Sequence, residues 1–143
     1  MRVLVLHGVN LDMLGRRDPK HYGRVTLREL EQQIVDWGAE LGLDVTCKQT
    51  NAEGLYVEWI HDACDSSDGV IVNPGAWTHY SWAIHDALEL LSVPLAEVHL
   101  SAIEEREPFR KVSVVADLAS LRVSGKGPDG YREALRFMQE AGG

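Results

Sequence analysis

The chain has 143 residues, 45% of them hydrophobic and 25% charged, with a formal net charge of −8. This is the profile of a soluble globular protein long enough for one core, and its acidic balance argues against nucleic acid or an anionic membrane as partner. No segment has the length to span a bilayer, Cys47 and Cys64 show neither metal-ligand nor redox spacing, and the opening MRVLVLHG turns polar too soon for a signal peptide, so a single cytoplasmic domain over residues 1–143 with reduced thiols is expected.

RVLVLH (2–7) reads as a first strand. Seventeen residues, Gly8 to Arg24, separate it from the next periodic segment, whereas strand-to-helix loops usually take about 2–6. A connection of that length, carrying Asn10, Arg16, Arg17, His21 and Tyr22, is a candidate for function. TLRELEQQIVDWGAELG (26–42) reads as a helix. Thr26 and Glu29 form a capping box, Leu27, Leu30, Ile34, Trp37 and Leu41 make one apolar stripe, and Gly42 suits the end. LDVTCKQT (43–50) reads as a second strand, and Asn51 as the cap of a helix through about Cys64 that turns Leu55, Trp59 and Ile60 inward. GVIV (69–72), apolar throughout, suits the centre of a parallel sheet. A helix follows NPGAWTH through about Leu91, and PLAEVH (94–99) is a fourth strand. SAIEEREPF (101–109) is polar with room for one helical turn, VSVVA (112–116) reads as a fifth strand, and a last helix with Pro128 in its first turn runs to about Glu140.

Strands alternating with helices pair in parallel through right-handed crossovers. The expected architecture is α/β, a flavodoxin-like three-layer sandwich around a five-stranded parallel sheet of order 2-1-3-4-5. Ligands bind such sheets beyond the carboxyl ends of the strands, near the switch in strand order. Strand one brings Asn10, Arg17 and Tyr22 there. Strand three brings Asn73 and His79, and strand four brings Glu97, His99 and Ser101, with Arg106 and Arg110 just after.

Taken singly, most of these have an ordinary structural reading: a turn asparagine, solvated arginines, a packed tyrosine, a capping or core histidine. Glu97 is different, because a carboxylate in a central strand needs a partner, and His99, two residues on, shares its side of the sheet. The convergence of all of them on one mouth is the signal. No phosphate loop, nucleophile elbow, cysteine or metal-ligand spacing accompanies them, and none of Lys20, Lys48, Lys111 and Lys126 lies at an apolar strand end. Tyrosine, histidine, arginine and amides remain. That set suits acid–base chemistry on an anionic substrate, since arginine binds carboxylate in a fork and a guanidinium favours the charged form of a phenol.

HGVNLDMLGRRDPKHYG (7–23), VIVNPGAWTHYSWAIHDAL (70–88), PLAEVHLSAIEEREPFR (94–110) and VSGKGPDGY (123–131) stand in that order along the chain. Across essentially its whole length the sequence resembles the type II 3-dehydroquinate dehydratases, small enzymes of the shikimate pathway. The resemblance implies a lyase that converts 3-dehydroquinate to 3-dehydroshikimate by trans elimination of water through an enolate, with no Schiff base, metal or cofactor. It makes Tyr22 the base, with Arg17 on the same lid-like loop, and gives Asn10 the enolate oxygen through a held water. His99 becomes the acid and Glu97 its orienting partner. Asn73, His79, Leu100, Ser101 and Arg110 would hold the substrate, with Arg106 supporting the lid or the site's edge. Asp86 would reach a neighbouring subunit's site in a homo-oligomer of trimers grouped into dodecamers. Val9 stands where the family usually has proline.

Overall fold

In a computed structural model that describes residues 1–142, five parallel strands lie in the order β2-β1-β3-β4-β5. They are β1 (Arg2–His7), β2 (Asp44–Gln49), β3 (Gly69–Asn73), β4 (Leu95–His99) and β5 (Leu121–Ser124). The expected strand order and α/β, flavodoxin-like architecture hold. The helices are α1 (Pro19–Tyr22), α2 (Leu27–Glu40), α3 (Glu53–Ser66), α4 (Trp82–Leu88) and α5 (Asp129–Gly142). Among the described residues, no helix is long and apolar enough to cross a membrane.

Strand alternation divides the core into two layers. Val3 and Val5 of β1, Ile71 of β3 and Val98 of β4 face α2 and α5, where they meet Leu30, Ile34, Leu135 and Met138. Leu4, Leu6, Val70, Val72 and Leu95 face α3 and α4 and meet Tyr56, Ile60, Ile84 and Leu88. β3 is buried along its whole length, as its unbroken apolar run requires. The Thr26–Glu29 capping box forms as expected, and Gly42, at φ +76°, follows the helix in the left-handed region.

The same alternation sets up the site. His7 and Asn73 are register partners across β1 and β3, on the α2/α5 side. Glu97 and Arg122 are register partners across β4 and β5, on the opposite side. Gly8 lets the ends of β1 and β3 close on each other: its N–H donates to the Asn73 carbonyl at 2.8 Å, and a Cβ there would stand 2.3 Å from the Pro74 oxygen. Gly8→Ala should cost about 1–3 kcal/mol of stability by overpacking, read as a lowered denaturant midpoint at unchanged slope.

Three expectations need correction. VSVVA is not the fifth strand; the edge strand is LRVS, Leu121–Ser124. Val114 and Val115 are buried because they pack into the α3/α4 layer, and the Val114 N–H donates to the Thr78 carbonyl instead of joining a ladder. Asn51 does not cap α3, whose cap is Ala52 without a side-chain bond. Asn51 accepts from the Asn10 backbone N–H at 2.8 Å and donates to Asp12 at 3.2 Å. Finally, α3 buries Tyr56, Ile60 and Ala63, while Leu55 is exposed.

Candidate active site

The first loop is not one long flap. Its opening half is pinned: Leu11 and Leu14 are buried in the core, Asn10 sits at φ +69°, and Asn51 just after β2 and Gln49 at its end bond the backbone at Asn10 and Gly8. The second half carries Arg17 and Tyr22. Asp18 caps α1 by accepting from the Lys20 N–H at 2.9 Å, and Pro19 suits that first turn. The single turn of α1 presents Tyr22, with Gly15 and Gly23 at positive φ on either side.

Two arginines grip the Tyr22 phenol. Arg17 donates to its oxygen at 2.7 Å and Arg106 at 2.5 Å. The Arg17 guanidinium also lies 3.8 Å from the ring centroid, in cation–π contact. Burial pulls the Arg17 pKa below the usual guanidinium value; Tyr22 opposes this, and the neighbouring charges of Arg106 and Arg110 add to it. Three guanidinium groups thus crowd one mouth of an acidic protein, a field that an anionic ligand would relieve.

On the α3/α4 side, His99 Nε2–H donates to Glu97 Oε2 at 2.6 Å, with both side chains buried. Ser113 donates to the same oxygen at 2.9 Å. Arg122 Nε stands 3.3 Å from the other oxygen, close enough to pair in charge although that oxygen accepts no hydrogen bond. Burial alone would raise the Glu97 pKa; the His99 hydrogen bond and charge, then Arg122 and Ser113, outweigh it and hold the carboxyl below its ordinary value. A depressed carboxyl stabilises the fold above its unfolded pKa, near 4.5, and that contribution fades as pH falls through the folded value. Glu97→Gln should therefore be less stable than wild type at neutral pH, with the gap narrowing below about pH 4.5 in denaturant titrations.

His79 donates Nδ1–H to the Val112 carbonyl at 2.7 Å. Its pKa is lowered, by burial first; the Val112 bond works the other way, and the His99 and Arg110 charges lower it further. The ring is thereby left neutral at pH 7, with Nε2 as an acceptor for a ligand hydroxyl. Asn10, Arg17, Tyr22, Asn73, His79, His99, Leu100, Ser101 and Arg110 all line one cavity. Glu97 lies behind His99. Asp86 does not join them: it is exposed on α4 and accepts from His85 at 3.1 Å.

Sequence reasoning missed several members. Arg106 is not only a support of the loop, since it shares the phenol oxygen with Arg17. Arg122 escapes a reading that takes VSVVA as the fifth strand; with the edge strand at LRVS it falls opposite Glu97 at once, while Ser113 reaches Glu97 from a loop that no local pattern marks.

A family model described as dehydroquinase class II matches residues 1–139. A 3-dehydroquinate dehydratase of Pelotomaculum thermopropionicum is 49% identical over 136 residues, covering 95% of this chain and 94% of that protein. One of Syntrophotalea carbinolica is 52% identical over 135 residues, covering 94% and 91%. Among solved structures, a type II dehydroquinase from Propionibacterium acnes superposes with a TM-score of 0.94 at 45% identity, covering 97% of this chain and 96% of its own.

Proposed function

The chain belongs to the class II dehydroquinase family, and from that premise we propose that it dehydrates 3-dehydroquinate to 3-dehydroshikimate, as a step of the shikimate pathway. One observation carries this reading furthest: a phenol oxygen that accepts from two guanidinium groups shares a cavity with a carboxylate-bound imidazole.

Tyr22, as phenolate, takes a proton from the carbon beside the ketone. The C–H electron pair moves into an enolate, whose oxygen Asn10 stabilises through a held water. The enolate then expels the hydroxyl from the next carbon, on the opposite face of the ring. His99 gives that hydroxyl a proton, so water leaves and a double bond conjugated to the ketone forms. Glu97 holds the imidazole in place and balances its charge. Arg17 and Arg106 face the phenol oxygen where negative charge sits before the reaction. Asn73, His79 and Ser101 bind hydroxyls, Arg110 binds the carboxylate, and Leu100 gives the ring an apolar wall. Closure of the α1 segment over the substrate would exclude water and strengthen these charges.

No Schiff base is required, and none of the four lysines lines the cavity. Asp86, exposed on its helix, is free to meet a neighbouring subunit's site in a trimer-based dodecamer. The test is to add 3-dehydroquinate to purified protein and follow the ultraviolet absorbance of the conjugated enone. Turnover is expected, and borohydride added with substrate should leave the protein mass unchanged; no enone, or a covalent adduct, would overturn the reading.

A further inference from the structure

A second polar network enters the cavity floor from the α2/α5 side and takes no part in the acid–base steps. Asn73 Nδ2 donates to the Tyr131 hydroxyl at 2.9 Å. Tyr131 Oη lies 3.0 Å from His7 Nε2, and His7 Nδ1 lies 3.1 Å from Glu31 Oε2. Tyr131 and His7 are fully buried and Asn73 nearly so, while Glu31 reaches the surface. Such a chain is consistent in one direction only. The Glu31 carboxylate can only accept, so the facing Nδ1 carries the imidazole proton. His7 Nε2 is then an acceptor, and the Tyr131 hydroxyl donates to it. The phenol oxygen in turn accepts from Asn73, whose amide must present its nitrogen to Tyr131. The amide oxygen is left to accept from the Gly75 N–H at 3.3 Å.

The alternatives fail. The reversed chain would set a bare Nδ1 lone pair against a carboxylate. A doubly protonated His7 would donate at both ends, so the Tyr131 hydroxyl would have to donate to a flipped Asn73 amide oxygen, and the amide NH2 would then face the Gly75 N–H and leave that donor without its acceptor. We propose that Glu31, His7 and Tyr131 are positioning residues: a polarised relay that fixes the flip of the Asn73 amide, so that the site offers its ligand the second Nδ2–H as a donor and never the amide oxygen. The substrate feature selected at this point is a hydroxyl or carbonyl oxygen free to accept. The inference rests on the dehydratase reading for its substrate, but the polarity of the relay stands on the protein alone.

Tyr131→Phe removes the oxygen that holds the amide. It should raise KM for 3-dehydroquinate about tenfold with kcat within about twofold, the pattern of lost uniform binding. Glu31→Gln changes only the partly exposed end and keeps the side-chain shape, so this variant folds even if Tyr131→Phe does not. With histidine-selective nitrogen labelling, the wild-type His7 proton should sit on Nδ1 at a pH above the ordinary imidazole range. In Glu31→Gln it should be shared between both ring nitrogens, with KM raised about threefold. A wild-type proton on Nε2 would overturn the relay. So would a Tyr131→Phe protein that loses thermal stability at unchanged KM, since that is what packing alone predicts. Absence of wild-type turnover would fail the dehydratase reading and leave the tautomer measurement to decide the relay.

Discussion

Tyr22→Phe should fold, bind 3-dehydroquinate and turn it over about 10²–10⁴ times more slowly, the usual contribution of one placed base. The variant is clean because of what it keeps. The ring stays under the Arg17 guanidinium, at a cation–π distance of 3.8 Å in the parent, so α1 retains its packing. What disappears is the oxygen on which Arg17 and Arg106 both converge. The two guanidinium groups then face each other without their shared acceptor, and an anionic substrate supplies the missing charge. KM should therefore stay close to wild type or fall, and the loss should lie in kcat. At 1.36 kcal/mol per factor of ten, the barrier rises by roughly 3–5 kcal/mol. A kcat within about tenfold of wild type would take Tyr22 out of the base role.

Legibility from sequence followed how local the deciding forces were. β1 and β3 could be read because their apolar runs answer to burial on both faces, and α2 because its cap and stripe lie within one segment. The fifth strand could not. VSVVA carries more apolar weight than LRVS, but the ladder to β4 depends on where the crossover returns, and the valines find burial against helices instead. An arginine in the middle of LRVS argues against a strand until Glu97 is known to stand opposite. The Glu97–His99 pair was legible, since a carboxylate in a central strand demands a partner and period two supplies it. Asn51 read as a cap because capping is its commonest local use, whereas its actual bonds, to Asn10 and Asp12, span about forty residues of sequence. Tyr131 and His7 belong to the same class: each looks like ordinary core until β1, β3 and α5 are packed together.

The two sides of the sheet divide the labour at the mouth. The relay through Tyr131 arrives with Asn73 from the α2/α5 face, and the proton donor arrives with Glu97 from the α3/α4 face. β3 and β4 are neighbours, so in the proposed mechanism the amide that binds substrate and the imidazole that gives the proton are held by separate networks only one strand apart. The two share no hydrogen-bonding side chain, so a substitution in one should leave the hydrogen bonds of the other in place.

That separation makes the second large effect diagnostic. His99→Ala should lose about 10²–10⁴-fold in kcat, because the hydroxyl then leaves without its proton. Glu97 remains partnered by Ser113, with Arg122 close by, so the carboxylate is not abandoned in the core and the variant should fold. Removing the acid does not remove the base. In heavy water, His99→Ala should still exchange the substrate hydrogen beside the ketone for deuterium, because Tyr22 can form the enolate and return a solvent-derived deuteron while the hydroxyl stays in place. Tyr22→Phe should do neither. Mass spectrometry of recovered substrate separates the two variants directly: deuterium uptake that far outruns enone formation in one, no such excess in the other. If His99→Ala fails to exchange, or dehydrates at a rate near wild type, the imidazole is not the acid of the second step, and the proton must reach the departing hydroxyl from elsewhere in the cavity.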